Sequence, residues 1–266
     1  MGLPMAKALD NAGFHVKGFD VRPAGEFGDF ESHMIPSAAR FSNDIDVLIS
    51  VVRDQQQTLD LYFRKQAIFH RPSYPKICLL ASTVSPRFLE ELLPRLPADV
   101  QFLDIPMSGA PIAAAEKRLT FMIGADEETA APIRPLLEAM GRDLHFLGGV
   151  TMGMTCKVLN NFVAASSVVA VRQVLDEAIR LKLDPDQLLD VMKSSSGGTW
   201  FGDNFANIIW ATEEYDPKNT IGIVEKDVNA LLDTLNGRQA DRHAIDYMKG
   251  IRDRLSSLPP SPHGER

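Results

Sequence analysis

From Thr151 to about Leu181 the sequence has no proline and, after Gly153, no glycine. A run of this length without a breaker predicts one helix, on the order of 45 Å long at 1.5 Å per residue. That helix divides the chain. Ahead of it, short apolar runs alternate with amphipathic stretches. Met5 to Ala12 reads as a helix ended by Gly13, and Phe14 to Phe19 alternates like a strand that stops at Asp20. Val47 to Val52 is a continuous apolar run, as a strand buried on both faces should be. Ile77 to Ala81, Val100 to Asp104 and Leu119 to Ile123 repeat that signal, and Gln55 to Arg64, Pro86 to Leu96 and Glu127 to Met140 read as helices between them. This rhythm predicts an α/β fold, a Rossmann-like doubly wound parallel sheet with helices on both faces.

Behind Gly148 and Gly149 the pattern becomes all-α. Asp184-Pro185-Asp186-Gln187 is a helix start, with Asp184 as cap and Pro185 at the first helical position. Ser194 to Thr199 is a polar loop, and Asn219 to Leu235 and Asp241 to Leu255 read as helices. The expected division is a sheet domain over 1–149, a helical domain over 150–257 and a frayed tail over 258–266.

Charge narrows the partners. The 28 basic and 35 acidic residues give a net charge of −7, with no basic window interleaved with aromatics, so nucleic acid is excluded as a partner. The apolar runs look short and broken by charge, which predicts no membrane span, and the opening residues have no signal-peptide pattern. The two cysteines, Cys78 and Cys156, form no disulfide framework and fit a reducing, cytoplasmic setting. A mitochondrial setting would need a targeting segment upstream. The six histidines are scattered without a ligand pair, so no metal site is expected.

Three groups carry chemistry. Gly2 opens a helix and Asp20 ends the next strand 18 residues later, the arrangement in which an acidic residue meets the ribose of a dinucleotide. A strand-end aspartate is also a common turn residue. Lys157 and Asn161 are four apart on the long helix and share a face, where an ammonium beside an amide can hold an oxygen and move its proton. A surface lysine with a packing asparagine has the same spacing. Ser108-Gly109-Ala110 follows a strand end, where free backbone N–H groups and a hydroxyl can bind a carboxylate, or simply turn the chain. Trp200 and Trp210 read as core or interface anchors, and Cys156 as a packed thiol.

With these residues, several motifs fall in the order of one family. Gly2-x-Pro4-Met5-Ala6-Lys7 is similar to the close of a GLGxMGxPMA signature. Ser82-Thr83-x-x-Pro86 resembles an ST-x-x-P turn, and Asp104-Ile105-Pro106-Met107-Ser108-Gly109-Ala110 resembles DxPVSGG. Gly153-x-x-x-Lys157-x-x-Asn160-Asn161, Ser195 to Trp200 and Lys226-Asp227 complete the set. The chain resembles the β-hydroxyacid dehydrogenases, the family of 3-hydroxyisobutyrate dehydrogenase and tartronate semialdehyde reductase. The resemblance implies an NAD-dependent oxidoreductase, with NADP as the alternative cofactor, that interconverts a small β-hydroxyacid and its semialdehyde or keto acid. It implies Lys157 and Asn161 as catalytic residues, and Ser108, Gly109, Ala110, Lys226 and Asp227 around a small carboxylate substrate. It places Gly2, Met5, Asp20, Val52, Thr83 and Lys226 at the cofactor, and implies a homodimer or homotetramer.

The departures are specific. The family's first strand and first two glycines are missing ahead of Gly2, Val52-Arg53 stands for Leu-Pro, Ala110 stands for the second glycine, and the likeness stops after Leu235. They keep a second reading open, a non-catalytic homologue that has lost cofactor binding. Imine reductases share the architecture but usually lack the lysine, and a 6-phosphogluconate dehydrogenase needs a larger helical domain.

Overall fold

The computed structural model describes residues 1–43 and 45–262. It falls into two compact units, Met1–Lys157 and Val158–Arg266. The division lies inside the long helix, a little beyond the 149/150 boundary that the sequence predicts.

The first unit runs α1 (Gly2–Asn11), α2 (Ala38–Asn43), β1 (Val47–Ser50), α3 (Gln55–Phe63), β2 (Ile77–Leu80), α4 (Pro86–Leu92), β3 (Gln101–Asp104), β4 (Met107–Ser108), α5 (Ala110–Ala115), β5 (Leu119–Ile123), α6 (Glu127–Ala130), α7 (Arg134–Met140) and β6 (Gly141–Phe146). β1, β2 and β3 pair in parallel, from Val47–Ile77–Gln101 to Ser50–Leu80–Asp104. Alternation along the strands sends side chains to two cores. Leu79 and Leu103 meet Met5, Ala8 and Leu9 of α1, Ala113 and Ala114 of α5, and Leu137 and Met140 of α7. Cys78, Leu80 and Phe102 meet Leu61 to Phe63 of α3 and Phe88, Leu89 and Leu92 of α4. Helices thus cover both faces, as a doubly wound sheet requires.

Two sequence expectations are corrected. The segment from Phe14 to Phe19 forms no ladder: Gly18 makes one isolated bridge, to Met34. Its alternation arises from packing, because Phe14 and Val16 turn toward the first core and Phe19 toward the second. The sheet is also not wholly parallel. β4 pairs antiparallel with β5, which pairs parallel with β6. The two three-stranded sheets join where the Gly124 N–H donates to the Asp104 carbonyl at 2.8 Å and that of Met122 to the Pro106 carbonyl at 2.9 Å.

The long helix is α8 (Met152–Arg180), followed by α9 (Pro185–Lys193), α10 (Trp200–Asp203), α11 (Thr220–Leu235) and α12 (Arg242–Leu255). Helix starts follow their capping residues: Asp184, Thr199, Asn219 and Asp241 each accept a first-turn N–H. Ala165, Val168, Val171 and Leu175 form one stripe of α8 and build the second unit's core with Phe201, Phe205, Ile221, Val228 and Leu255. A further expectation is corrected: by length and composition α8 is apolar enough to cross a membrane, because Leu159, Val163, Val174 and Ile179 add exposed apolar surface to the buried stripe. Trp210 stacks on Phe201 at 5.3 Å, whereas Trp200 is exposed, so of the two readings, core or interface anchor, it is not the core one.

The segment read as a frayed tail is held as far as Ser261. Ser261 N–H donates to Thr212 O at 2.9 Å, Tyr215 N–H to Leu258 O at 2.9 Å, and the buried Arg172 guanidinium bonds Pro259 O. Residues 263–266 of that tail lie outside the described residues.

Candidate active site

The lysine-bearing helix begins on a carboxylate. Asp104, fully buried at the end of β3, accepts the N–H groups of Thr151 at 2.8 Å and Met154 at 2.6 Å. The Met154 N–H is one of the donors that the first turn of a helix leaves unpaired, and Thr151 is the residue just ahead of that turn. Burial pushes the Asp104 carboxyl above its ordinary value, against the pull of those two N–H groups. Glycine is required on both sides. A Cβ on Gly124 would lie 1.9 Å from an Asp104 carboxylate oxygen, and one on Gly153 would lie 2.4 Å from Met122 O. Met154 closes the anchor, buried in the second core with its sulfur accepting the Val84 N–H at 3.4 Å.

Lys157 follows one turn later and is buried, with 7% of its surface exposed. Asn161 lies four residues on, on the same helix face. Asn161 Nδ2 donates to Asp227 at 2.6 Å, and Lys226 Nζ donates to the other oxygen of Asp227 at 2.7 Å. Asp227 is itself buried on α11. An ionised carboxylate only accepts hydrogen bonds, so Asp227 fixes which end of the Asn161 amide faces it. Asn161, Lys226 and Asp227, three residues that the sequence singles out, therefore form one hydrogen-bonded line. Cys156 is partly buried beside Lys157 in sequence.

In the sheet unit, Ser108 pairs with Thr120 and leads into Gly109, the cap of α5, with Ala110 as that helix's first residue. Gly109 has φ +135°, and a Cβ there would come within 2.7 Å of Ala113 Cβ, so only glycine makes this turn.

The expected cofactor residues separate into two groups. Met5 is corrected: its side chain belongs to the first core, 2% exposed, and reaches no surface. Val52 likewise packs its side chain against the second core, which leaves only its backbone for a ligand. Gly2, Asp20 and Thr83 stay partly accessible. Thr83 sits in the turn between β2 and α4, where Ser85 caps α4 by accepting the Phe88 N–H at 3.1 Å and Pro86 takes the first helical position. Its neighbour Ser82 has a buried hydroxyl with no partner.

Three observations bear on whether a dinucleotide fits these residues. The start of α1 has no side-chain cap and no acidic residue in its first turn, which leaves the N–H groups of Gly2 and Leu3 available to an anion. Ser82 Oγ is an orphaned polar atom at the carboxyl end of a parallel strand, the edge where such sheets bind ligands. Asp20 lines an open pocket of about 270 Å³ with Val21, Arg22, Pro23, Ala24, Met34, Ile35 and Pro36. The donor set fits. Arg22 is the residue that the sequence reading missed. It makes three hydrogen bonds to Asp20, from its N–H at 3.0 Å, Nε at 3.2 Å and Nη2 at 3.2 Å. Partial burial raises the Asp20 carboxyl, but the Arg22 bonds outweigh it and hold it below the ordinary range.

Comparison with known proteins finds family matches over residues 1–250. Residues 1–153 match the family described as the NAD-binding domain of 6-phosphogluconate dehydrogenase, and residues 151–250 that described as NAD-binding of NADP-dependent 3-hydroxyisobutyrate dehydrogenase. The chain is 31% identical over 208 residues to the mitochondrial 3-hydroxyisobutyrate dehydrogenase of Bos taurus, 77% of this chain and 62% of that protein. It thus spans less than two thirds of the mitochondrial relatives' length. It is 31% identical over 203 residues to the 3-hydroxyisobutyrate dehydrogenase of Pseudomonas aeruginosa, 75% of this chain and 68% of that one. Among solved structures, Mycobacterium tuberculosis 3-hydroxyisobutyrate dehydrogenase with L-serine superposes with a TM-score of 0.77 at 26% identity, covering 98% of this chain and 94% of the other.

Proposed function

The chain belongs to the β-hydroxyacid dehydrogenase family, and from that premise we propose that it is an NAD(P)-dependent oxidoreductase that interconverts a small β-hydroxyacid and its semialdehyde or keto acid. The observation that carries this reading is the pairing on α8 of a buried Lys157 with an Asn161 whose amide is fixed by Asp227.

When bound, the nicotinamide dinucleotide supplies or takes up the electron pair of the reaction. Gly2 and the uncapped start of α1 would meet its phosphates, Asp20 its ribose, and Ser82 and Thr83 the strand-end side of its ring. Lys157 handles the proton. In the oxidation its neutral amine accepts the hydroxyl proton as the C–H bond breaks, and the alcohol becomes a carbonyl. In the reduction its ammonium returns that proton to the forming alkoxide. The Asn161 amide presents an N–H to the same oxygen, because Asp227 occupies only one of its two donors. In the sheet unit, Ser108 and the Gly109 turn would offer a substrate carboxylate a hydroxyl and backbone N–H groups; in the helical unit, Lys226 would offer it a charge.

Steady-state assay of a panel of short β-hydroxyacids with NAD and NADP tests the activity. We expect turnover of at least one of them. A folded chain that binds neither cofactor, read as no rise in melting temperature with either, would overturn the proposal.

A further inference from the structure

The C-terminal end of the second unit carries an inference that does not depend on the dinucleotide reading. Arg172 of α8 is a buried cation, 2% exposed. Its Nη1 donates to the carbonyls of Ala211 at 2.8 Å and Glu213 at 3.0 Å, its Nη2 donates to Pro259 O, and its Nε has no partner. Nε and Nη2 form the side-on edge of a guanidinium, a fork that matches a carboxylate. Arg22, Arg118, Arg142 and Arg252 of this chain each grip a carboxylate by that edge. On Arg172 a single carbonyl stands there instead. We propose that residues 258–261 are a releasable strap over an anion site, where a small free carboxylate competes with Pro259 O for the Nε–Nη2 edge of Arg172.

The closed strap leaves this charge incompletely satisfied. Burial pushes the Arg172 guanidinium below its ordinary value, and Asp176, four residues on along α8, offsets this only by its charge, without a hydrogen bond. Asp176 Oδ1 and Ser261 Oγ are buried without partners as well. Three of the five such atoms among the described residues thus lie on Arg172, its helix neighbour and the strap, and each carries a desolvation cost that opening to water removes. The strap is also lightly tied. Pro259 and Pro260 have no N–H to give. Its backbone ties to the 211–215 segment are Ser261 N–H to Thr212 O and Tyr215 N–H to Leu258 O, both 2.9 Å, and Leu258 adds a partly buried side chain. The Nη1 bonds to Ala211 and Glu213 do not involve the strap, so Arg172 keeps its place when the strap lifts. A carboxylate fills both positions of the edge and neutralises the buried charge, which a carbonyl does not. Lifting one extended chain uncovers little more than the edge itself, which suits a small ion.

Amide hydrogen exchange of the full chain, followed by NMR in sodium formate and in sodium chloride of equal ionic strength, tests this. The Ser261 and Tyr215 N–H groups report strap opening, and Val168 and Val171 of the α8 core stripe report global unfolding. We expect formate to speed exchange at Ser261 and Tyr215 about threefold or more and to leave Val168 and Val171 unchanged. Equal exchange in the two salts would overturn the proposal. Arg172→Met removes the anion edge and should abolish the formate effect; an effect that persists would place the anion elsewhere and overturn the proposal. Leu258→Ala decides independently, since it loosens the strap and leaves Arg172 in place. It should tighten formate binding, read from the Arg172 Nε–H resonance, about threefold or more, because the open form becomes more populated. Unchanged or weaker formate binding in Leu258→Ala would overturn the competition between strap and anion.

Discussion

The Asp104 carboxylate accepts the Met154 N–H at 2.6 Å across 50 residues of sequence. This bond ties the end of β3 to the first turn of α8, three residues ahead of Lys157. Thr151, the other residue bonded to Asp104, has φ +82°, a conformation that a β-branched residue adopts only when its surroundings impose it. The first turn of the lysine-bearing helix is therefore fixed to the end of β3 by a buried side chain.

Asp104 should leave a signature in the pH dependence of stability. Its folded carboxyl is raised above the ordinary 3.8. Its contribution is thus fully present below that value and lost as pH rises through the raised one. In urea denaturation from about pH 4 to about pH 7 we expect wild type to lose stability relative to Asp104→Asn as pH increases. A wild type that gains stability relative to Asp104→Asn as pH rises would contradict this. Asp104→Ala, which removes both acceptors, should cost about 2–5 kcal/mol.

Gly153→Ala probes the same junction by volume. The added methyl meets only backbone atoms, Met122 O at 2.4 Å, Gly124 N at 2.8 Å and Asp104 O at 2.9 Å, none of which can rotate away. We expect a loss of about 1–3 kcal/mol or more, read from the denaturation midpoint. Unchanged stability would mean that the helix start has slack.

How far the sequence reports this architecture depends on the range of each interaction. Local signals are legible: the helices read from Asp184, Asn219 and Asp241 start at those residues because a cap acts within three residues, whereas the four-residue helix capped by Thr199 is too short to show a period. The breaker-free run gives α8 almost to the residue. What fails is what needs a partner. Alternation from Phe14 to Phe19 reports burial, and says nothing of whether a neighbouring strand is present to pair. The two residues of β4 are too few to show a period. In the site, the face shared by Lys157 and Asn161 follows from spacing alone, whereas Asp227 and Asn161 meet across 66 residues. Arg22 was missed although it adjoins the aspartate reading, because its role depends on a side-chain direction. Met5, placed at the cofactor through its motif, faces the core because it lies on the inner stripe of α1 with Ala8 and Leu9.

Asp227 should act on rate through Asn161 and Lys226. Asp227→Asn keeps the shape but removes the charge that holds both. We expect kcat to fall about ten- to a hundredfold with NAD affinity little changed, since misplacing a positioning group costs rate more than binding. Equal losses in kcat and in cofactor affinity would indicate general disruption instead.

The most direct measurement is the rate of the chemical step in Lys157→Ala, taken in single turnover with saturating cofactor and substrate. If the amine at 157 moves the proton, the rate should fall about 10²- to 10⁴-fold, while the melting-temperature rise on adding cofactor persists. A variant that turns over at the wild-type rate would remove Lys157 from the reaction.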